Sequence, residues 1–192
     1  NDTAVFTSAL TAGDFTTTSG VAIPGYGTFD GWVVNAGGEG SDTLIDVEIV
    51  QTGAGRFLLV GNGGFDTIGA AMAEAVNGDT ILVAAGTYNE SLIINKAVTL
   101  VSADGPGAAV IEGSLLTTLG VPGGMGLDEY FEANHPAYSA STGISVQSDN
   151  VTLDGFTVTG YSTGVDLGTS DGVSIVNNVF TDNVTGIRKG TA

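Results

Sequence analysis

Cysteine is absent from the 192 residues, which excludes disulfide staples and thiolate metal sites. Cations are scarce as well: four Lys and Arg stand against 21 Asp and Glu, with one His, for a formal net charge of −17. So few basic groups cannot neutralise a phosphate backbone, and nucleic acid is excluded as a partner. An anionic membrane or polymer would be repelled unless bound cations bridged the charges. No apolar run approaches the ~20 residues of a membrane span, so no transmembrane segment is expected. Charged residues make up only 13% and apolar residues 42%, which excludes an acidic disordered tail. What the chain does have is glycine (31 residues), with much Thr, Asn and Asp, the residues of tight turns and short strands. The composition is that of a soluble, turn-rich, mostly β, exported protein.

Two regions are expected, residues 1–64 and 65–192. The first reads as short strands at 4–6, 31–34, 47–51 and 56–60, separated by Gly, Thr and Asp punctuation. Residues 66–76 form the one expected helix: Asp66 can cap it, Ile68, Ala71, Met72 and Ala75 share a face, and Asn77-Gly78 stops it. Three- to five-residue apolar runs follow at 80–83, 92–94, 98–101 and 110–111, broken by turn clusters. Such short strands suit the sides of a coil better than a sandwich. Internal repetition agrees, because Asp149-Asn150-Val151-Thr152-Leu153 returns 22 residues later as Asp171-Gly172-Val173-Ser174-Ile175. Under the same offset Val158 becomes Phe180 and Gly164-Val165 becomes Gly186-Ile187. Self-similarity at ~20–25 residues in short β-rich units marks a solenoid. Ile81, Val83, Leu92, Ile94, Val98, Leu100, Val151, Leu153, Val173 and Ile175 are its expected interior. Asn177-Asn178 falls at a turn, where Asn side chains extend the backbone ladder of such coils.

Three segments carry a resemblance: Gly78-Asp79-Thr80-Ile81, Gly86-Thr87-Tyr88-Asn89-Glu90 and Lys96-Ala97-Val98-Thr99-Leu100. Following an amphipathic helix, they resemble the opening of right-handed parallel β-helix proteins of the pectin-lyase-like superfamily. The resemblance implies an all-β fold: a right-handed parallel β-helix of four to five turns, an N-terminal cap helix and a small β-rich N-terminal region. It implies no particular activity, since lyases, esterases, glycosidases, epimerases and inert structural coils share this opening.

Upstream, Gly37-Gly38-Glu39-Gly40-Ser41-Asp42-Thr43-Leu44 resembles one repeat-in-toxin (hemolysin-type calcium-binding) nonapeptide. Gly61-Asn62-Gly63-Gly64-Phe65-Asp66-Thr67-Ile68 resembles it with Asn at the second position. This second resemblance implies a secreted bacterial protein and makes Asp42 and Asp66 candidate calcium ligands. The repeats are not in tandem, however, whereas a calcium roll binds each ion between neighbouring repeats, and calcium needs six to eight oxygens. The competing reading is that 37–40 is a hairpin turn and Asp66 a helix cap.

Residues 114–141 break the coil rhythm and hold the single histidine. Within them Asp128, Glu132 and His135, at i, i+4 and i+7, share one helical face with Tyr130 nearby, an arrangement suited to a cation or a sugar. The alternative is a surface loop whose short helix packs Leu127, Tyr130 and Phe131 on the coil. Enzyme signatures are sparse. Arg56, Lys96, Arg188 and Lys189 are the only bases for β-elimination, and Asp154 and Asp166, which could face outward as a glycosidase pair, fit turn positions equally well. The expected function is therefore structural or adhesive, in a surface layer, adhesin or filament outside a bacterial cell. The alternatives are the N-terminal part of a carbohydrate-active enzyme, or a non-catalytic coil stacking polysaccharide on Tyr88, Tyr130, Tyr138 and Tyr161. Expected partners are further copies of the chain or the rest of a longer chain, whose coil would continue past Ala192.

Overall fold

The computed structural model describes residues 1–113 and 141–190. Its first six strands are β1 (Thr3–Val5), β2 (Phe15–Ile23), β3 (Gly27–Asn35), β4 (Ser41–Leu44), β5 (Ile49–Gln51) and β6 (Arg56–Val60). β2, β3 and β4 form an antiparallel sheet, and the long β2–β3 hairpin is a feature that the alternation of residues does not announce. A register shift between Thr18 and Val21 throws the two halves of β2 out of phase, so no single period-2 pattern spans the strand. Its tip is a Pro24-Gly25 turn with Gly25 at φ 85°, the sign that position requires.

Helix α1 (Ile68–Glu74) is shorter than the expected 66–76, and its cap is Thr67 rather than Asp66. The Thr67 hydroxyl accepts from the Ala70 amide at 3.0 Å, whereas Asp66 is exposed. One residue decides this, because only the side chain immediately before the first helical residue reaches back to the free amides.

Four passes of chain follow α1. The first is β7 (Thr80–Val83), β8 (Gly86–Tyr88) and β9 (Leu92–Ile94); the second is β10 (Thr99–Ser102), β11 (Ala109–Glu112) and β12 (Thr142–Val146). The third is β13 (Thr152–Asp154), β14 (Phe156–Thr159) and β15 (Thr163–Asp166), and the fourth is β16 (Ser174–Val176), β17 (Val179–Thr181) and β18 (Thr185–Arg188). Each pass gives one strand to each of three sheets, and every pairing between passes is parallel. Between the third and fourth passes the register is 22 residues on all three sheets, with Leu153 beside Ile175, Val158 beside Phe180 and Val165 beside Ile187. The chain is thus mostly β with parallel sheets, and the repeat read from the sequence is the register of the ladders.

Alternation along these strands sends Ile81, Val83, Leu92, Ile94, Leu100 and Leu153 into one continuous core, each worth about 1.5–3 kcal/mol when fully buried. Val98 and Val151 join them, but Val173 and Ile175 are only partly buried. They lie in the fourth pass, which among the described residues has a neighbouring pass on one side alone.

The boundary expected at 64/65 lies within a continuous structure. β6 pairs in parallel with β7, and β5 and β1 extend the same sheet, making seven strands. This explains why β6 is apolar at consecutive positions. Leu58 and Val60 face the continuous core of the passes, while Phe57 and Leu59 face a second core with Trp32, Val34, Phe15 and Leu82. The β2–β4 sheet covers the outer face of the first pass, and the Phe15 and Phe57 rings meet at 4.7 Å. Away from this cover the equivalent outward residues become polar, as with Thr152 and Asp154. No helix among the described residues is long and apolar enough to cross a membrane.

Candidate functional site

The residues at the heart of the two resemblances have local structural work. Glu90, from Gly86-Thr87-Tyr88-Asn89-Glu90, accepts from the Ile68 and Gly69 amides at 2.9 and 2.8 Å. Lys96 donates to the Met72 and Ala73 carbonyls at 2.8 and 2.9 Å, and Arg56 to that of Glu74 at 3.1 Å. A helix of two turns leaves most of its amides and carbonyls unpaired. Here a carboxylate holds the positive end and two cations the negative end, the arrangement that the helix dipole favours. Arg56 also meets the buried Asp79 carboxylate at 2.8 Å, and Asp79 accepts from the Val76 amide.

The Gly61-Asn62-Gly63-Gly64 segment is a tight turn that returns the chain from β6 to Phe65. Gly61, Asn62 and Gly63 take φ of 78°, 48° and 81° in succession, a left-handed run that Gly and Asn tolerate best. At Gly64 a Cβ would lie 2.2 Å from the Leu59 carbonyl oxygen. The Gly37-Gly38-Glu39 segment is a 3-10 turn joining the antiparallel strands β3 and β4, and Asp42 is exposed on β4. Asp66 shares an open cleft with Asp46, Glu48 and Asn62, while Asp42 does not line it. Among the described residues no three of Asp, Glu and His converge closely enough to hold one metal ion.

Glu39 ties the 3-10 turn to the chain after β1. Its carboxylate accepts from the hydroxyls and amides of Thr7 and Ser8, and those donors hold its pKa at about 2, well below the usual 4.5. The ionised form is the one that the fold prefers. Its contribution is therefore complete above pH about 4.5 and is lost as pH falls from there through about 2. Thr11 likewise depresses Asp14, and Arg188 depresses Asp166. Glu39→Gln is expected to melt earlier than the parent at neutral pH and to show a shallower loss of stability across that acid window. Superimposable acid melting profiles for the two proteins would refute this.

The candidate ligand residues Asp128, Tyr130, Glu132 and His135 lie outside the described residues, as do Leu127, Phe131 and Tyr138. The places where their segment leaves and rejoins the coil are described. Gly113 donates to the Thr159 carbonyl at 2.8 Å, and the Ser141 carbonyl accepts from the Thr163 amide and the Ser162 hydroxyl at 3.0 and 2.6 Å. Both stems therefore sit on the corner between β14 and β15. Tyr161 fills that corner, 2% exposed, with its hydroxyl donating to the Glu90 carbonyl. A Cβ on Gly113 or on Gly143 would lie 2.8 Å from the Tyr161 ring, so glycine at both places makes room for it.

An open cleft of about 180 Å3 adjoins this corner, lined by Asn89, Glu90, Ser91, Glu112, Ser141 and Tyr161. Glu112 exposes its carboxylate there, while that of Glu90 is bound to the helix amides. Burial, with the charges of Glu90 and Glu112, pushes the Tyr161 pKa up to about 12, so its proton stays in place at neutral pH. The cleft is rich in hydrogen-bond acceptors. Tyr161 offers no stacking face for a sugar, and Tyr88 is half-buried with its hydroxyl on the Ala84 carbonyl. The most exposed tyrosine described is Tyr26, 81% exposed at the β2–β3 tip, which sequence patterning did not single out.

The two remaining basic residues are engaged along the stack. Arg188 meets Asp166 one pass earlier, and Lys189 reaches the Ser170 carbonyl and, at 3.5 Å, Asp171. Asp154 accepts from Asn177 at 2.9 Å and sits on a different sheet from Asp166, so these two carboxylates do not form a facing pair. Asn178 accepts from the Phe156 amide and donates to the Leu153 carbonyl, both at 2.8 Å. Asn183 does the same for the Tyr161 amide and the Val158 carbonyl, at 3.0 and 2.8 Å. The corner asparagines thus extend the ladder by binding the backbone of the preceding pass. No family model matches this chain, and comparison with curated proteins and with solved structures finds no match.

Proposed function

We propose that this chain is a structural or adhesive module of a secreted or cell-surface bacterial protein. In this reading the four passes are turns of a right-handed parallel β-helix, and the helix α1 is its cap. The module's task is to hold residues 114–140 at a defined place for contact with a surface polysaccharide or another macromolecule. One observation carries the reading: both stems of that segment are fastened to a single corner, around Tyr161, on a scaffold whose core is continuous. A rigid scaffold that holds a recognition segment in place is the usual division of labour in such modules. The basic side chains support it too. All four are engaged with carbonyls or carboxylates of the scaffold, which leaves each of them poorly placed to abstract a proton from a uronate.

The test replaces residues 114–140 by a short Gly-Ser link between Gly113 and Ser141. The shortened protein is expected to keep its cooperative melting while losing adhesion to cells and to immobilised polysaccharide. Undiminished adhesion without the segment would overturn the presenting role. Eliminative cleavage of pectin or alginate by the parent chain would overturn the non-enzymatic reading.

A further inference from the structure

The motif Asn-x-Ser/Thr, with x other than proline, occurs four times: Asn1-Asp2-Thr3, Asn89-Glu90-Ser91, Asn150-Val151-Thr152 and Asn183-Val184-Thr185. It is the acceptor pattern of N-linked glycans, in which a transferase grips the hydroxyl while the asparagine amide reacts. In a chain that has already folded, both groups must be exposed. The backbone between them must also be free of a sheet ladder, so that the three residues can enter the transferase.

The fold separates the four motifs. Thr3, Thr152 and Thr185 lie inside β1, β13 and β18, paired with Ile49, with Thr99 and Ser174, and with Thr163. Asn183 is also occupied at both ends of its side-chain amide, by the Tyr161 amide and the Val158 carbonyl. The main-chain amide of Asn150 donates to the Asp171 carbonyl of the next pass at 2.9 Å. Residues 89–91 alone fall between strands, after β8 and before β9. Among the described residues β8 and β9 are the outer strands of their sheets, so no earlier pass lies over this corner. Glu90 turns its carboxylate to the Ile68 and Gly69 amides. Its two neighbours, Asn89 and Ser91, are exposed together on the wall of the cleft beside Tyr161.

We propose that Asn89 is an N-glycosylation acceptor in the folded chain. The donor is an oligosaccharide joined through pyrophosphate to a polyprenyl lipid. The Asn89 amide nitrogen attacks the anomeric carbon of the first sugar and gives up one proton. The bond from that carbon to the pyrophosphate oxygen breaks, and the lipid pyrophosphate leaves with the electron pair. A bulky, hydrated chain is thereby placed on the cleft that Glu112 and Ser141 also line. This inference does not depend on what residues 114–140 bind.

The test incubates the folded 192-residue chain with an oligosaccharyltransferase that accepts folded proteins and with a polyprenyl-pyrophosphate oligosaccharide, followed by glycopeptide mass spectrometry. A flexible Gly-Ser tail carrying one further acceptor motif, added after Ala192, reports that enzyme and donor are active. Beyond the tail, a single glycan is expected, at Asn89. Asn89→Gln and Ser91→Ala, both at exposed positions, are each expected to abolish it with circular dichroism unchanged. Having two variants guards against either one failing to fold. A modified tail beside a bare Asn89 would overturn the inference. So would a glycan on Asn1, Asn150 or Asn183 as readily as on Asn89, or one that survives both substitutions at the motif.

Discussion

Tyr161→Ala is expected to lower the thermal midpoint by roughly 6–20 °C. Truncating a buried aromatic costs about 3–5 kcal/mol, and each kcal/mol shifts the midpoint of a domain this size by about 2–4 °C. The ring lies between Gly113 and Gly143, neither of which has a side chain to fill the space it would leave. Tyr161→Phe separates the ring from the hydroxyl. It keeps the packing and removes only the bond to the Glu90 carbonyl, a loss of about 0.5–1.5 kcal/mol. Alkaline pH provides a second reading of the same residue. The folded pKa is raised to about 12 against an ordinary 10.0, so the neutral tyrosine is the form that the fold holds. Its contribution is complete below pH about 10 and declines as pH rises through about 12, and Tyr161→Phe should remove that part of the alkaline loss. An alanine variant melting within a few degrees of the parent would show that the corner does not depend on the ring.

Trp32→Ala is expected to cost a similar amount, about 3–5 kcal/mol, and to act on the other core. Trp32 is 1% exposed and packs with Phe15, Phe57, Leu59 and Leu82, while its indole N–H donates to the Gly61 carbonyl at 2.9 Å. Its removal opens a cavity between the β2–β4 sheet and the first pass, and it frees a carbonyl of the turn that leads into α1. Urea unfolding should show a lower midpoint for Trp32→Ala and a smaller decrease for Trp32→Phe, which retains a six-membered ring but loses the donor and part of the packed volume. Because Trp32 is the single tryptophan, fluorescence of the parent reports directly on this interface. Acrylamide should quench it far less in the folded protein than in urea. Equal quenching in both states would mean that the interface is absent.

Much of the four passes was legible because its information is local. Short apolar runs placed β6, β7 and β9 at their observed bounds, and the offset of 22 appears directly as the pairing of Leu153 with Ile175 and Val165 with Ile187. Inward positions follow from alternation alone, since a strand of a few residues has only two faces. Glu39, Glu90, Tyr161 and the four cations are another matter. Each is recognisable as a polar or aromatic residue in a motif or a turn, yet its partner lies 18 to 71 residues away for Arg56, Lys96, Glu90, Glu39 and Tyr161. No local pattern records such a meeting.

The amino-acid sequence by itself determined several strands of the first two passes, the repeat that relates the last two, many of the inward residues and the strongly acidic character of everything before the fourth pass. Only the tertiary structure decided that the outer face of the first pass is covered. Leu82 and Asp154 take the same outward position two passes apart, joined in the ladder through Val101, but Leu82 is buried because β3 brings Trp32 across it. It also decided that Glu90, Lys96 and Arg56 serve the ends of α1, and that Tyr161 turns inward where two glycines admit it. The physical reason is the same in each case. Strand formation depends on neighbours within a few residues, whereas burial and ion pairing depend on which distant segments the folded chain brings into contact.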